Sequence, residues 1–184
     1  TCVHPRSIQN AVGLRRDGVS GTKRGEDWFR FIGETERAYV AGMKDYIRNE
    51  LKCRAPLIDS QASYGGLSGV YRESQNDFID MHSYWQHPSF PGKPWDPGNW
   101  RIMNTPMSSD PRSGANLGRL AAFRVDAMPF TETEYDHPAP SHYAAEMFPM
   151  IASFAAAQNW DGVFQFDWGG VNAKDGQIDS YFSL

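Results

Sequence analysis

The hydrophobic and polar positions change rhythm several times along the chain, and those changes mark its elements. From Asp27 onward Trp28, Ile32, Thr35, Tyr39, Met43, Tyr46 and Leu51 recur at three- to five-residue steps with no proline among them. That spacing predicts an amphipathic helix, with Asp27 as the residue type suited to its N-cap. Four short runs then read as strands, at 55–60, 78–85, 129–135 and 162–168, each followed by loop chemistry. Helical patterns fall at 67–75, 115–127 and 143–159, the last containing Pro149, which predicts a kink or break there. Strands alternating with helices imply parallel strands joined by right-handed crossovers, an α/β fold. Residues 1–26 show no sustained period and read as an irregular arm, leaving 27–184 as the folded domain. The connection 87–115 is punctuated by Pro88, Pro91, Pro94, Pro97, Pro106 and Pro111, with Trp95 and Trp100 among them. It reads either as an ordered lid or substrate loop, or as an aromatic plug over the outer edge.

Composition narrows the function classes. Hydrophobic residues make up 40% of the 184 positions and charged residues 22%, a globular balance. No apolar run approaches the roughly 20 residues that span a bilayer, so a soluble protein without a membrane partner is expected. A formal charge of −4 argues against nucleic acid, whose binding domains are usually strongly basic, and suits a neutral substrate. Two cysteines, Cys2 and Cys53, decide neither pairing nor redox compartment, so localisation stays open.

Chemistry-bearing residues gather where the predicted strands end, the place where parallel α/β proteins build their sites. One strand ends in Met81-His82-Ser83-Tyr84-Trp85, the next in Thr131-Glu132-Thr133-Glu134-Tyr135-Asp136-His137, and the last in Phe164-Gln165-Phe166-Asp167-Trp168. Aromatic rings suit sugars, which present apolar C–H faces and polar rims, and six tryptophans make Trp85, Trp168 and also Tyr135 natural platforms. His82, His87, His137 and His142 with Asp80 and Asp136 follow no compact ligand spacing, so no metal and no cofactor is expected.

Over roughly residues 27–168 these segments resemble strands five to eight of clan A (β/α)8 glycoside hydrolases, similar to family-five cellulase-like and β-galactosidase-like enzymes. Thr133-Glu134-Tyr135 matches the context of the strand-seven nucleophile, His82 and Tyr84 match the His-x-Tyr of strand six, and Trp168 matches the strand-eight platform. The resemblance implies half of a TIM barrel with about four parallel strands and flanking helices. It implies a retaining glycosidase acting on β-glycosidic bonds, with Glu134 as nucleophile and His82, Tyr84, Trp85, Tyr135, His137 and Trp168 around the substrate.

Such chemistry needs a second carboxyl group to protonate the leaving oxygen, about 5 to 5.5 Å from the nucleophile. The family carries it in an Asn-Glu pair on strand four, and no such strand precedes Asp27; Asn49-Glu50 has the letters but closes a helix. Glu132 is the one candidate acid/base within the chain, because residues two apart on a regular strand share a face about 6.6 Å apart. Its other reading is a buried, hydrogen-bonded structural role. Half a barrel leaves two unpaired edges, which predicts a homodimer or association with a missing N-terminal half. The reading from a different class is a catalytically silent carbohydrate-binding or structural fragment that lacks the acid.

Overall fold

The computed structural model describes residues 22–63, 66–110, 113–169, 178 and 180–183. Cys2 and the arm through residue 21 lie outside the described residues. The chain divides into two compact units, Thr1–Ala55 and Pro56–Leu184, and the long helix predicted from periodicity falls in the first. That helix, α1 (Lys23–Asp45), begins four residues ahead of Asp27, because Thr22 has the extended backbone an N-cap needs (φ −93°, ψ 152°). The Thr22 hydroxyl accepts from the Gly25 N–H at 3.2 Å. Asp27 instead sits one turn inside and pairs with Lys23 at 2.8 Å. The helix passes into a π-helical turn, Tyr46–Glu50, so Asn49-Glu50 is helical and not a strand end. Beyond it, the Arg48 guanidinium donates to the carbonyls of Cys53 and Ala55 at 2.7 and 2.6 Å. Cys53 is a free, half-buried thiol.

The second unit is α/β. A parallel sheet runs β1 (Ile79–Tyr84), β2 (Phe130–Asp136), β3 (Gly162–Gln165) in that spatial order. Helix α2 (Leu67–Glu73) precedes β1, and α3 (Ser113–Ala122) joins β1 to β2. A 3-10 turn, Ala144–Glu146, and α4 (Met147–Ala157) join β2 to β3. No break falls at Pro149 itself: the helix runs through it, and the change from 3-10 to α geometry comes just before, at Glu146 and Met147. Pro149 is the third residue of α4, within the first turn, where a missing N–H forfeits no helical bond.

The expected strand at 55–60 is not one. Pro56 has no N–H for a ladder, and Leu57 exchanges bonds with Asp77 instead: its N–H donates to the Asp77 carboxylate at 2.7 Å and its carbonyl accepts from the Asp77 N–H at 3.0 Å. Pairing with β1 comes only later, where the Ala62 N–H reaches the Asp80 carbonyl at 2.9 Å. The sheet of the described residues therefore has three strands rather than four.

The two sides of the sheet differ in chemistry. Ile79, Met81, Phe130 and Tyr135 pack with Met107, with Leu117 and Leu120 of α3, and with Met147 and Ile151 of α4. Ile79, Met81, Leu120 and Phe130 are completely buried, and each such side chain contributes roughly 1.5–3 kcal/mol from its removal from water. We call this the back face. Asp80, His82 and Tyr84 alternate with those residues along β1 and form the front. No described helix is long and apolar enough to cross a membrane.

Candidate active site

The site is set by a bulge in β2. Met81 pairs with Glu132 and the next residue, His82, pairs with Glu134, so Thr133 is an extra residue in the ladder. Adjacent β1 side chains point to opposite faces and their parallel partners follow them, so Glu132 lies with Met81 at the back and Glu134 with His82 at the front. This corrects the expectation that two carboxyl groups two residues apart share a face. Glu132 is not positioned to serve Glu134 as acid/base, because the inserted residue reverses the alternation between them.

At the front, Glu134 is about one-third exposed and His82 about one-quarter. The Tyr84 hydroxyl donates to Glu134 Oε2 at 2.6 Å, and His82 Nδ1 lies 3.3 Å from the same oxygen. Beneath them Asp80 is buried and accepts from the hydroxyls of Thr131 and Thr133, both at 2.6 Å. His82 Nε2 stands 3.0 Å from Thr133 Oγ1 and 3.2 Å from Asp80 Oδ2. The network assigns the tautomer. Gln61 Oε1 accepts from the His82 backbone N–H at 3.1 Å and from the Ser63 hydroxyl. Its amide nitrogen is therefore the atom 3.0 Å from His82 Nδ1, and Nδ1 accepts while Nε2 carries the proton toward Asp80. Thr133 gives its own proton to Asp80 and accepts from that N–H, so the imidazole is fixed from both ends.

Gln61 is held in turn from α2. Arg72 Nη2 donates to the Gln61 carbonyl at 3.0 Å, and Arg72 Nε pairs with the fully buried Glu73 at 2.8 Å. Burial, and then the hydrogen bond and charge of Glu134, push the Tyr84 phenol well above its ordinary pKa of 10. Tyr84 therefore remains a proton-bearing donor to Glu134 across the physiological range.

The other expected substrate contacts separate into two groups. Tyr135 is 1% exposed within the back core, its hydroxyl 3.6 Å from Met107 Sδ and 3.3 Å from His137 Nε2. His137 is also buried, and burial draws its pKa down to about 4. Trp85 packs against the same core and donates from Nε1 to the Thr105 carbonyl at 2.9 Å. These three are therefore neighbours of the back face rather than of Glu134, with Tyr135 and His137 buried and Trp85 half-buried. Trp168 follows β3 and is 82% exposed, with no ring partner among the described residues. Only His82 and Tyr84 are brought together with Glu134.

Among the described residues, Glu132 and Asp136 are fully buried carboxyls whose oxygens have no partner at hydrogen-bond distance. Glu132 is fully buried and neither oxygen finds a hydrogen bond among the described residues. Burial, reinforced by the charges of Asp80 and Glu134 and only partly offset by the Ser83 backbone and Arg119, raises its pKa to about 10. Asp136, paired with Tyr84 across the ladder, is likewise fully buried and unpartnered. Burial and then the Asp167 charge raise it to about 8, against the opposing effect of the His137 backbone. Both carboxyls hold their protons at neutral pH.

The loop after β1 is ordered around an antiparallel bridge between Ser89 and Arg101, with backbone bonds of 2.8 and 2.9 Å. Its far end is anchored by the Glu146 carboxylate, which accepts from the Met107 and Ser108 N–H groups at 2.7 and 3.2 Å. The C-terminal segment joins it at the front. Tyr181 and Phe182 accept backbone bonds from Ala139 and Asp167, and the Phe182 ring stacks on Tyr84 at 4.8 Å. A separate groove of about 170 Å³ opens at the back between α4 and β3, lined by Met147, Phe148, Ile151 and Val163 among others. It is apolar and lies on the opposite side of the sheet from Glu134. Among the described residues no group of three His, Cys, Asp or Glu side chains is arranged to hold a metal ion.

Sequence reasoning passed over Asp80, Thr131, Thr133 and Gln61 as site residues. Asp80 carried a usable signal, since it lies two residues before His82 on one face of one strand. Gln61 carried none, because it arrives from an irregular segment 21 residues away. No family model, no curated protein and no solved structure matches the chain.

Proposed function

We propose that the chain is the nucleophile-bearing part of a retaining glycoside hydrolase acting on β-glycosidic bonds, and that its parallel sheet belongs to a (β/α)8 barrel. The observation that carries this reading is the grip on Glu134. One carboxylate oxygen is held by the Tyr84 hydroxyl at 2.6 Å and flanked by His82 at 3.3 Å, at the C-terminal end of a parallel strand. With Oε2 occupied by Tyr84, Oε1 attacks the anomeric carbon. The C–O bond to the leaving group breaks as that oxygen takes a proton, a glycosyl ester forms on Glu134, and water then releases the sugar. Tyr84 keeps the carboxylate aligned through both steps, with His82, fixed by Asp80 and Thr133, packed beside it.

Glu132 faces away from this carboxylate, so in this reading the proton donor comes from a second copy of the chain or from further polypeptide that completes the barrel. The same position of Glu132 favours the second reading, a carbohydrate-binding module that holds sugar without turning it over. A panel of nitrophenyl β-glycosides assayed with the 184-residue chain and its Glu134→Gln variant separates the two. The glycosidase reading expects hydrolysis by the parent and a loss of about 10⁴-fold or more in the variant, the scale seen when a covalent nucleophile is removed. Equal rates in both proteins would end the assignment of Glu134, and binding without hydrolysis would favour the silent module.

A further inference from the structure

The segment Ser180–Ser183 returns to the front of the sheet as a turn closed by its own side chains. The Ser180 hydroxyl accepts from the Phe182 N–H at 3.0 Å, the Ser183 hydroxyl accepts from the Ser180 N–H at 3.1 Å, and the Ser183 N–H donates to the Ser180 carbonyl at 3.2 Å. Serine hydroxyls stabilise turns in this way without the help of a ladder. The two central carbonyls then tie the turn to the chain beyond two different strands. Tyr181 accepts from the Ala139 N–H, after β2, at 2.9 Å, and Phe182 accepts from the Asp167 N–H, after β3, at 3.2 Å. A segment outside regular elements is ordered when its backbone is tied down like this.

What the turn delivers to the site is the Phe182 ring. It stacks on Tyr84 with centroids 4.8 Å apart and planes 30° from parallel. His87 and Phe166 meet the Tyr84 ring nearly at right angles, at 5.5 and 6.4 Å. Phe182 contacts those same two rings at 6.0 and 5.4 Å, so the four rings brace one another. The phenol oxygen lies on the long axis of its ring, and whatever fixes the Tyr84 ring therefore fixes the 2.6 Å bond to Glu134. Removing the stacked ring opens a face of Tyr84 to water and lets the phenol tilt. Water then competes for the carboxylate, and the hydrogen bond weakens as its surroundings become more polar. Burial is the largest cause of the raised Tyr84 pKa, and the Phe182 ring is part of what buries it.

We propose that Phe182 is a positioning residue: the turn Ser180–Ser183 straps the Tyr84 ring in place so that its hydroxyl meets Glu134. The consequence for turnover rests on the reading of Glu134 as nucleophile, whereas the hold on Tyr84 does not. Phe182 acts through Tyr84 and touches no reacting atom. Its contribution depends on a flat ring laid against a flat ring, which an aliphatic side chain of similar bulk does not reproduce.

The test is carbon-13 NMR of the full chain at neutral pH with the phenol carbon of every tyrosine labelled, because that carbon reports the hydrogen bond of its own hydroxyl. The Tyr84 signal is identified by its loss in Tyr84→Phe. In Phe182→Leu it should move toward the signals of the exposed Tyr39 and Tyr71, while Tyr135, buried in the back core, stays where it is. Nitrophenyl glycoside turnover by the same variant should show kcat lowered by about threefold to tenfold with KM unchanged. Phe182→Tyr, which keeps the flat ring, should hold the Tyr84 signal at its parent position and restore kcat. A Tyr84 signal unmoved in Phe182→Leu, displaced equally in Phe182→Tyr, or displaced together with Tyr135 would overturn the proposal, as would a displaced signal with kcat unchanged. Turnover that needs Glu134 alongside an unmoved Tyr84 signal would remove the strap alone. A displaced Tyr84 signal with no turnover by the parent would remove the nucleophile and keep the hold of Phe182 on Tyr84.

Discussion

Glu134 and Glu132 stand on one strand with a single residue between them, and the protein treats them in opposite ways. Glu134 at the front is partly exposed, accepts from Tyr84 and faces an imidazole whose far side is fixed by Asp80 and Thr133. Glu132 at the back is fully buried, with no hydrogen bond for either oxygen among the described residues. The residue between them, Thr133, creates the difference: as the extra position in the ladder it reverses the alternation, and its hydroxyl completes the Asp80–His82 support. Chemical type alone therefore does not make a site residue. The front carboxylate receives the Tyr84 hydroxyl and is partly open to solvent, while the back one is left neutral by its surroundings.

The comparison breaks most severely if the support of the front face is removed from below. Arg72→Met leaves the buried Glu73 carboxylate without its guanidinium and releases the Gln61 carbonyl. Chemical denaturation should show a loss of about 3–5 kcal/mol, the usual result of stranding one partner of a buried pair. An unchanged midpoint would mean that the Arg72–Glu73 pair does not hold the Gln61 segment.

The back face is sharpened by Glu132→Gln. Glu132 has a folded pKa of about 10 against an ordinary 4.5, so the folded form keeps a proton that the unfolded form has lost between those values. Unfolding then releases a proton, and stability falls as pH rises from about 4.5 toward 10, with the full contribution present only below 4.5. Glu132→Gln should remove that slope, leaving the variant more stable than the parent by on the order of a few kcal/mol at pH 9 and nearly equal to it at pH 4. Urea midpoints across that range check it, and parallel curves for the two proteins would refute a neutral buried Glu132. Glycoside turnover at neutral pH should be little affected, since the residue lies on the far face.

A smaller effect is expected at the front from Tyr84→Phe. It deletes the 2.6 Å bond to Glu134, and hydrogen bonds to charged groups contribute about 1.5–3 kcal/mol. If that bond aligns the nucleophile, kcat for an activated glycoside falls by about ten- to a hundredfold while the unfolding midpoint moves little. A large loss of stability with kcat retained would make Tyr84 a structural residue instead.

Much of the second unit was legible in the residues because its elements follow simple periods. The run over β1 begins in apolar/polar alternation, β2 is rich in threonine and aromatic residues between turn signals, and α3 and α4 repeat apolar residues at helical spacing. What escaped was set by single atoms. Nothing in Thr133 announces a bulge, since threonine is an ordinary strand residue, and without the bulge the face of Glu132 relative to Glu134 is misjudged. The run at 55–60 is apolar enough for a strand, but Pro56 and the exchange of bonds with Asp77 divert it. Thr22 displaced Asp27 as N-cap through backbone geometry that residue type does not reveal. Trp85 and Tyr135 looked like platforms because aromatic rings suit sugar faces and core layers equally well.

The central claim is that Glu134, and no other carboxylate of the chain, forms a covalent bond to sugar. Incubation with 2-deoxy-2-fluoro β-glycosides carrying a good leaving group, followed by peptide mass spectrometry, tests it most directly, because the fluorine slows release of a glycosyl ester more than its formation. The account predicts one added glycosyl group on the peptide containing Glu134, located at that residue by fragmentation and absent from Glu134→Gln. A label on Asp80 or Glu132, or turnover by the chain with no label at Glu134, would contradict it.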